Sequence, residues 1–253
     1  MMYLYEGGNI FDGTGDIPKE YVPSVINLMQ SEVPSGIKVI PDIGSAGYKV
    51  KSGDMDLFID ADQLMTKFES PDEKSVKVAL SQYFNAKGYS TSIKGRNVHV
   101  KVPYTTDKGK AFVQVDLMII KDAARVADWH QHGPRGMYDD PNFKASHLFI
   151  LLNSIGKFLG FKVDAFAGTL LRRDNNEVVA DNRADAAKIL LNPKAKPTDL
   201  NSVASVMKAL ENDPDKEGKL AQAKQDVAQG TLTLPEQITP GSAAWFRKMG
   251  HQL

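Results

Sequence analysis

The chain of 253 residues is 42% hydrophobic and 25% charged, a composition typical of a globular protein with a buried core. It has no cysteine, which excludes disulfides and thiolate metal sites, and no apolar run of about 20 residues that would predict a membrane helix. A formal net charge of zero argues against a protein that coats nucleic acid through bulk charge. Because the N-terminus has no signal-peptide pattern, we expect a cytoplasmic protein without a membrane partner.

The first half of the chain predicts an α/β domain with a small mixed sheet and helices on one side. Helical stripes of apolar residues are interspersed with short runs that have the period of a strand. Ser70 and Glu73 form a capping box around Pro71, which predicts the start of a helix. The predicted elements are a helix over 18–29, strands over 37–40 and 55–59, a helix ending near Ala86, and a hairpin of strands 98–102 and 112–120 with a turn over 105–110.

The second half predicts a smaller α+β region followed by helices. A polar connector over 122–141 precedes an apolar helix over 145–159, and Asp181 and Asn182 cap a helix that ends near Leu191. The remaining predicted elements are a hairpin over 168–179, helices over 200–210 and 211–229, and an extended tail over 230–253. The predicted domains are an α/β domain with an N-terminal helix over 1–125, a small α+β domain over 140–196, and a helical extension with a tail over 197–253.

Three aspartates in apolar strands are the candidate catalytic and metal-binding residues. Met55, Leu57 and Ile59 alternate with polar positions, so Asp54 and Asp56 share one face of their strand. Asp116 lies in a second apolar strand, where an aspartate is uncommon without a function. Carboxylates from adjacent strands are suited to two Mg²⁺ ions about 3.5–4 Å apart, with Mn²⁺ as an alternative. In that arrangement Asp54 and Asp56 bridge both ions, and Asp116 helps to deprotonate an attacking hydroxyl.

The residues before the first aspartate pair are candidates for binding nucleotide phosphates. Gly44 and Ser45 offer backbone N–H groups and a hydroxyl, and the glycine permits close approach of the backbone. Lys49 and Lys51 supply positive charge for a leaving pyrophosphate. The remaining candidate nucleotide-binding residues, which directly precede the first aspartate, are Ser52 and Gly53.

Basic residues follow the acidic stretch and predict an acceptor site. Between Asn85 and Arg135 there are nine lysines and arginines against four aspartates. An acidic centre beside a basic flank suits metal ions next to a polyanion, although a solvated surface with uneven charge explains the counts equally well. The candidate acceptor-binding residues are Arg96, Lys101, Lys108 and Lys110.

Two tracts of this sequence resemble the palm of family X polymerases, in the DNA polymerase β superfamily of nucleotidyltransferases. They are Ser52-Gly53-Asp54-Met55-Asp56-Leu57 and Val113-Gln114-Val115-Asp116-Leu117. The resemblance covers about residues 37–192, since the later hairpin and helix follow the order of the family's thumb. Residues 6–11 and 191–211 are similar to nucleotidyltransferase-like proteins of tailed bacteriophages. The resemblance implies a polymerase β-like palm with a mixed sheet, a small α+β thumb and a helical C-terminal extension, in the host cytoplasm if a phage encodes the protein.

The resemblance also implies an activity. The enzyme would transfer a nucleoside monophosphate from an NTP or dNTP to an acceptor hydroxyl, preferentially an RNA or DNA 3′ end, with two Mg²⁺ ions and release of pyrophosphate. The positions that would face base and template fall near Ser146, Phe149 and Asn153 and lack the family's usual residues, which favours single-nucleotide or untemplated addition. Two alternatives stay open: transfer to a small-molecule or protein hydroxyl, and a non-catalytic phage protein that keeps the fold to bind nucleotides or other virion proteins.

Overall fold

The computed structural model describes residues 10–41, 43–44, 46–130 and 145–228, except for the side chains of 145–147 and 227–228. The chain divides into two compact units, Met1–His130 and Gln131–Leu253. Within the described ranges, no helix has the length and apolar character needed to cross a membrane. The extended tail predicted over 230–253 lies outside the described residues.

The first unit contains seven described strands and four described α-helices. The strands are β1 (Ile17–Pro18), β2 (Val39–Ile40), β3 (Lys51–Ser52), β4 (Asp54–Asp60), β5 (Ser90–Lys94), β6 (Asn97–Thr106) and β7 (Gly109–Ile120). The helices are α1 (Val22–Glu32), α2 (Ala61–Phe68), α3 (Glu73–Ala86) and α4 (Ala123–His130). Four of these elements were predicted within a few residues, and the hairpin strands β6 and β7 are longer than expected. The elements not predicted from the sequence are β1, β3, β5, α2 and α4.

Five strands form one mixed sheet in the order β2-β4-β7-β6-β5, which confirms the predicted mixed sheet. The central pair, β4 and β7, is parallel, and every other pair in this sheet is antiparallel. The β6–β7 hairpin is confirmed, but its turn is only Asp107 and Lys108, because Thr106 pairs directly with Gly109. β1 and β3 form a separate two-stranded antiparallel ribbon.

The two faces of the sheet are covered differently. One face packs against α1, α2 and α3 through a large apolar cluster that includes Met29, Leu57 and Leu80. The opposite face is covered at one end by α4, whose Val126 packs in a second cluster with Phe58. The prediction of helices on one side is therefore incomplete. α4 lies within the segment predicted as a polar connector. It was not predicted because eight residues are too few to display a clear helical period.

The start of α3 differs from the predicted capping box. Asp72 is the N-cap and its side chain accepts a hydrogen bond from the Ser75 N–H at 2.7 Å. Ser70 instead closes the preceding helix, since its N–H donates to the Met65 carbonyl and Glu69 adopts a left-handed conformation with φ 50°. The short connection between α2 and α3 thus moves the cap two residues along the chain.

The second unit combines a small antiparallel sheet, in the order β10-β9-β8, with four described α-helices. The elements are α5 (Ala145–Leu159), β8 (Phe161–Asp164), β9 (Thr169–Arg172), β10 (Val178–Ala180), α6 (Arg183–Leu190), a 3₁₀ turn (Pro197–Leu200), α7 (Val203–Ala209) and α8 (Lys216–Ala228). The predicted bounds of α5 and the cap at Asn182, which accepts from the Asp185 N–H at 2.9 Å, are confirmed. α5 contacts α6, α7 and α8, so residues before and after 197 share one unit.

Candidate functional site

The strand register places the three aspartates on one face of the sheet. In the parallel pair, Asp56 lies beside Asp116 and Asp54 lies beside Gln114. Side chains of adjacent paired residues point to the same face, and so do those of residues two apart on one strand. The alternating apolar residues enter the core, which leaves the carboxyl groups on the opposite face. We call Asp54, Asp56 and Asp116 the acidic row.

Burial and mutual repulsion make the acidic row unfavourable when fully ionised. Burial, followed by the charge of Asp116, raises the pKa of Asp54 to about 6, although His99 and Lys49 act in the opposite direction. Burial raises the pKa of Asp56 to about 8, and the charges of Asp54 and Asp116 add to the effect. Closely spaced carboxylates with raised pKa values need a cation or protons to share the site.

The raised pKa values predict a specific pH dependence of stability. Without divalent cations, the free energy of unfolding should fall as the pH rises from about 4 to 8, because folded Asp56 keeps a proton that the unfolded chain has lost. We expect Asp56→Asn to be more stable than wild type at pH 8 by roughly 2 kcal/mol, after discounting for residual solvent exposure, and equal to it near pH 4.

Urea unfolding of both proteins in a chelator, at pH 4, 6 and 8, measures this difference. Other ionisable groups contribute equally to the unfolding free energy of both proteins, so their contributions cancel in the difference. Added Mg²⁺ should stabilise wild type at pH 8 more than the Asp56→Asn protein. A variant less stable than wild type at every pH would mean that Asp56 is a structural residue.

A buried hydrogen-bond network fixes the orientation of Asp116. His99 lies opposite Asp116 on β6, and the two side chains are 7% and 9% exposed. His99 Nδ1 is 2.7 Å from Asp116 Oδ1, and the Gln114 amide donates to the same oxygen at 2.8 Å. Among the described residues nothing donates to Asp116 Oδ2, and His99 Nε2 is buried without a partner. The network thus holds one oxygen of Asp116 and leaves Oδ2 without a donor among the described residues.

His99 and Gln114 were not among the residues predicted for the site. The sequence did contain a signal, because a hairpin with its turn over 105–110 already pairs residue 99 with residue 116. A histidine opposite an aspartate in two apolar strands indicates a buried pair, since both groups need partners when they leave water.

The predicted phosphate-binding loop comes close to the acidic row at Gly44. A Cβ atom added at this position would lie 2.5 Å from Asp56 Oδ2, so only glycine fits without a shift of the loop or of the carboxylate. Ser45 lies outside the described residues. Lys49 is partly buried, and its charge lowers the pKa of Asp54.

The rest of the predicted nucleotide-binding segment divides between the two sides of β3. Ser52 is buried, and its hydroxyl has no hydrogen-bond partner among the described residues. Lys51, its neighbour, is exposed and points to the other side of the ribbon. Gly53 connects β3 to β4 directly before Asp54. Among the described residues of the predicted nucleotide-binding segment, Gly44 approaches Asp56 and the charge of Lys49 acts on Asp54.

The predicted acceptor-binding residues do not form one cluster. Lys101 and Lys110 meet at the ring of Phe112, with their ammonium groups 4.8 and 5.3 Å from its centroid. Lys108 lies in the adjacent β6–β7 turn. Arg96 precedes the other end of β6, roughly 30 Å along an extended strand from Thr105, the partner of Lys110, and about 16 Å from Lys101. Lys108 and Lys110 are thus at one end of the hairpin, and the Lys101 side chain reaches towards them from the middle of β6, where Lys101 pairs with Gln114.

A short N-terminal segment crosses the same face of the sheet. The Ile10 N–H donates to the Gln114 side chain at 3.0 Å, Lys101 donates to the Asp12 carbonyl, and the Gly15 N–H donates to the Phe112 carbonyl at 3.0 Å. Residues 10–15 therefore lie between the acidic row and the lysines at Phe112. Nothing in the local sequence predicts this contact, because its partners are about a hundred residues away.

Asn153, one of the positions predicted to face the base and template, has a structural role in the second unit. Its amide donates to the Phe149 carbonyl at 3.1 Å and its side-chain oxygen accepts from the Val163 N–H at 2.9 Å. The first bond lies within α5, and the second connects α5 to β8. The side chain of Ser146 lies outside the described residues.

The acidic row has the donors that Mg²⁺ prefers but is not a preassembled metal centre. Within the described part of the chain, no group of three or more His, Cys, Asp or Glu side chains is gathered closely enough to hold a metal. The residues nevertheless fit the ion chemically, because carboxylate oxygens are its usual ligands and Asp116 keeps one oxygen without a hydrogen bond. Binding would require the carboxylates to converge and lose their extra protons.

Comparisons with known proteins found no family model that matches this chain and no match among curated proteins. The function is therefore inferred from the geometry and chemistry of the site.

Proposed function

We propose that this protein is a nucleotidyltransferase with a polymerase β-like palm, which transfers a nucleoside monophosphate from an NTP or dNTP to an acceptor hydroxyl. The observation that supports the proposal most directly is the acidic row, three aspartates on one sheet face with the Gly44 loop against Asp56. Burial and crowding raise the pKa values of two of these carboxyl groups, so their charges are unfavourable in the folded protein. This argues for a functional role and against a structural one.

Each residue has a distinct role in the proposed reaction. Asp54, Asp56 and Asp116 would hold two Mg²⁺ ions, which supply Lewis acidity towards phosphate oxygens and the acceptor hydroxyl. The acceptor oxygen forms a bond to the α-phosphorus, the bond from that phosphorus to the β-phosphate oxygen breaks, and pyrophosphate leaves. Asp116 Oδ2 accepts the hydroxyl proton, while His99 and Gln114 hold the other oxygen in place.

The loop before β4 is assigned to the triphosphate. Gly44 lets the backbone approach the phosphates beside Asp56, and Lys49 offsets the negative charge that builds up on the leaving pyrophosphate. A nucleic-acid 3′ end is the preferred acceptor, because lysines at one end of the β6–β7 hairpin lie on the same sheet face as Asp116.

Incubation with each labelled NTP or dNTP, Mg²⁺ and a mixture of RNA and DNA oligonucleotides tests the proposal. We expect label to enter oligonucleotides that have a free 3′ hydroxyl, and pyrophosphate to appear in equal amount. Oligonucleotides blocked at the 3′ end are the matched control. Label found on the blocked oligonucleotide, on the protein itself or on a small molecule would favour the alternative acceptors. No turnover of any nucleotide with Mg²⁺ or Mn²⁺ would contradict the proposal and favour a non-catalytic role.

A further inference from the structure

A groove of about 480 Å³ follows the outer edge of β6 at the basic end of the hairpin. β5 begins at Ser90, which pairs with Lys101, so the following residues of β6 have no strand partner on that side. The lining includes Glu32, Lys87, Tyr89, Lys101, Lys110 and Phe112. Two of these residues, Lys87 and Tyr89, come from the end of α3 and were not predicted to belong to any site.

We infer that this groove binds the upstream nucleotides of a single-stranded nucleic-acid acceptor, an inference that rests on the proposed nucleotidyl transfer. Three lysines against one glutamate give the lining a net positive charge, which complements a phosphate backbone. Lys87 forms an ion pair with Glu32 at 2.9 Å, and Lys101 already donates to the Asp12 carbonyl, so the charge most available to a phosphate is that of exposed Lys110.

The aromatic residues of the lining favour a single strand over a duplex. Phe112 is partly buried, and Tyr89 is held in place by an edge-to-face contact with Phe84 at 5.7 Å. Base stacking on such rings requires bases that are not already stacked inside a duplex. The ammonium group of exposed Lys110 lies over the Phe112 ring, and it can turn to a phosphate when a base takes that position.

The distance between the groove and the acidic row sets the length of the acceptor. Phe112 and Asp116 are four residues apart on β7, or about 13 Å along an extended strand. That distance corresponds to about four stacked nucleotides at roughly 3.4 Å each. Residues 10–15 lie between the two places, so the reactive end has to pass this segment to reach Asp116. The groove therefore holds nucleotides upstream of the 3′ end and not the end itself.

Fluorescence anisotropy with a labelled 12-nucleotide oligo-U, without NTP, tests the groove directly. We expect Lys110→Glu to weaken binding about tenfold or more at low salt and to reduce the salt dependence of binding. Phe112→Leu should weaken binding roughly 5- to 100-fold without changing the salt dependence, because it removes stacking and no charge. Lys94→Glu is the matched control, since Lys94 is exposed on the same sheet face at the opposite end of β6.

Several results would overturn the groove assignment. One is that the Lys94 and Lys110 variants weaken oligo-U binding equally. Others are that a blunt duplex binds as tightly as oligo-U, or that poly-glutamate competes as well as unlabelled oligo-U. The last is that oligo-U does not bind in 50 mM salt. Melting temperatures of the three variants, Lys110→Glu, Phe112→Leu and Lys94→Glu, control for misfolding.

Acceptor length separates the groove from the proposed activity. Lys110→Glu should lower label transfer to the 12-mer by a larger factor than transfer to a dinucleotide, because a dinucleotide at Asp116 is too short to reach the groove. Equal transfer to the 12-mer by wild type and variant would refute the groove and leave the nucleotidyl transfer intact. Groove-dependent binding without any transfer would refute the activity and leave the groove.

Discussion

Asp56→Ala and Asp116→Ala are each expected to reduce nucleotidyl transfer by about 10³-fold or more, and the double variant should be little worse than either single variant. The two residues are neighbours across the β4–β7 pair, so they contribute to one group of ligands. Removing one carboxylate disrupts metal binding by the whole group. Removing the second carboxylate therefore lowers the transfer rate little further. Single-turnover rates with saturating NTP and acceptor measure the effect.

The control for this prediction is Asp62→Ala, which removes an exposed aspartate from α2. It should leave the rate unchanged. Melting temperatures in a chelator should show that the Asp56 and Asp116 variants both stay folded, because removing one of several crowded carboxylates relieves repulsion. The Asp116 variant should melt lower than the Asp56 variant, because it also loses the bonds to His99 and Gln114. Strictly additive losses, or full activity after either substitution, would contradict a shared metal site.

Lys49→Ala is expected to weaken the use of NTP by ~10–1000-fold, with little change in acceptor affinity. Lys49 is partly buried near Asp54, where its charge already acts on the acidic row. A fixed positive charge at this place stabilises the negative charge that builds up as pyrophosphate leaves. The measurement is kcat/KM for NTP at saturating acceptor, together with oligonucleotide binding by anisotropy.

Lys51→Ala provides the matched comparison, because it removes the same charge from an exposed position two residues later. Its effect should be much smaller than that of Lys49→Ala, although both lysines were predicted from the sequence to bind the triphosphate. If Lys49→Ala lowered only acceptor binding, the loop before β4 would belong to the acceptor path and the roles proposed for the two basic regions would have to be exchanged.

Local sequence patterns were sufficient to predict the helices and strands whose apolar residues recur with a long or regular period. The fifteen residues of α5 show four turns of helical spacing, and their predicted bounds agree with the structure. Alternation along β4 and β7 placed Asp54, Asp56 and Asp116 between apolar residues that enter the core. Asn182 was recognised as a cap because its side chain competes for a backbone N–H within the next turn.

Short elements were missed because their sequences carry too little information. α2 and α4 have eight residues each, and β1 and β3 have two each. The β1–β3 ribbon exists because residues more than thirty positions apart pair with each other. Ser70 shows the same limit at a helix end, since the turn that closes α2 decides which residue caps α3.

The composition of the candidate site was decided partly by the sequence and partly by the tertiary structure. The sequence determined the three aspartates and the glycine beside them, because strand alternation and residue type are local properties. Only the folded sheet brought His99 to Asp116, separated Arg96 from Lys110, and laid residues 10–15 across the hairpin. These contacts depend on strand register and on pairing over long sequence distances, which no local pattern specifies.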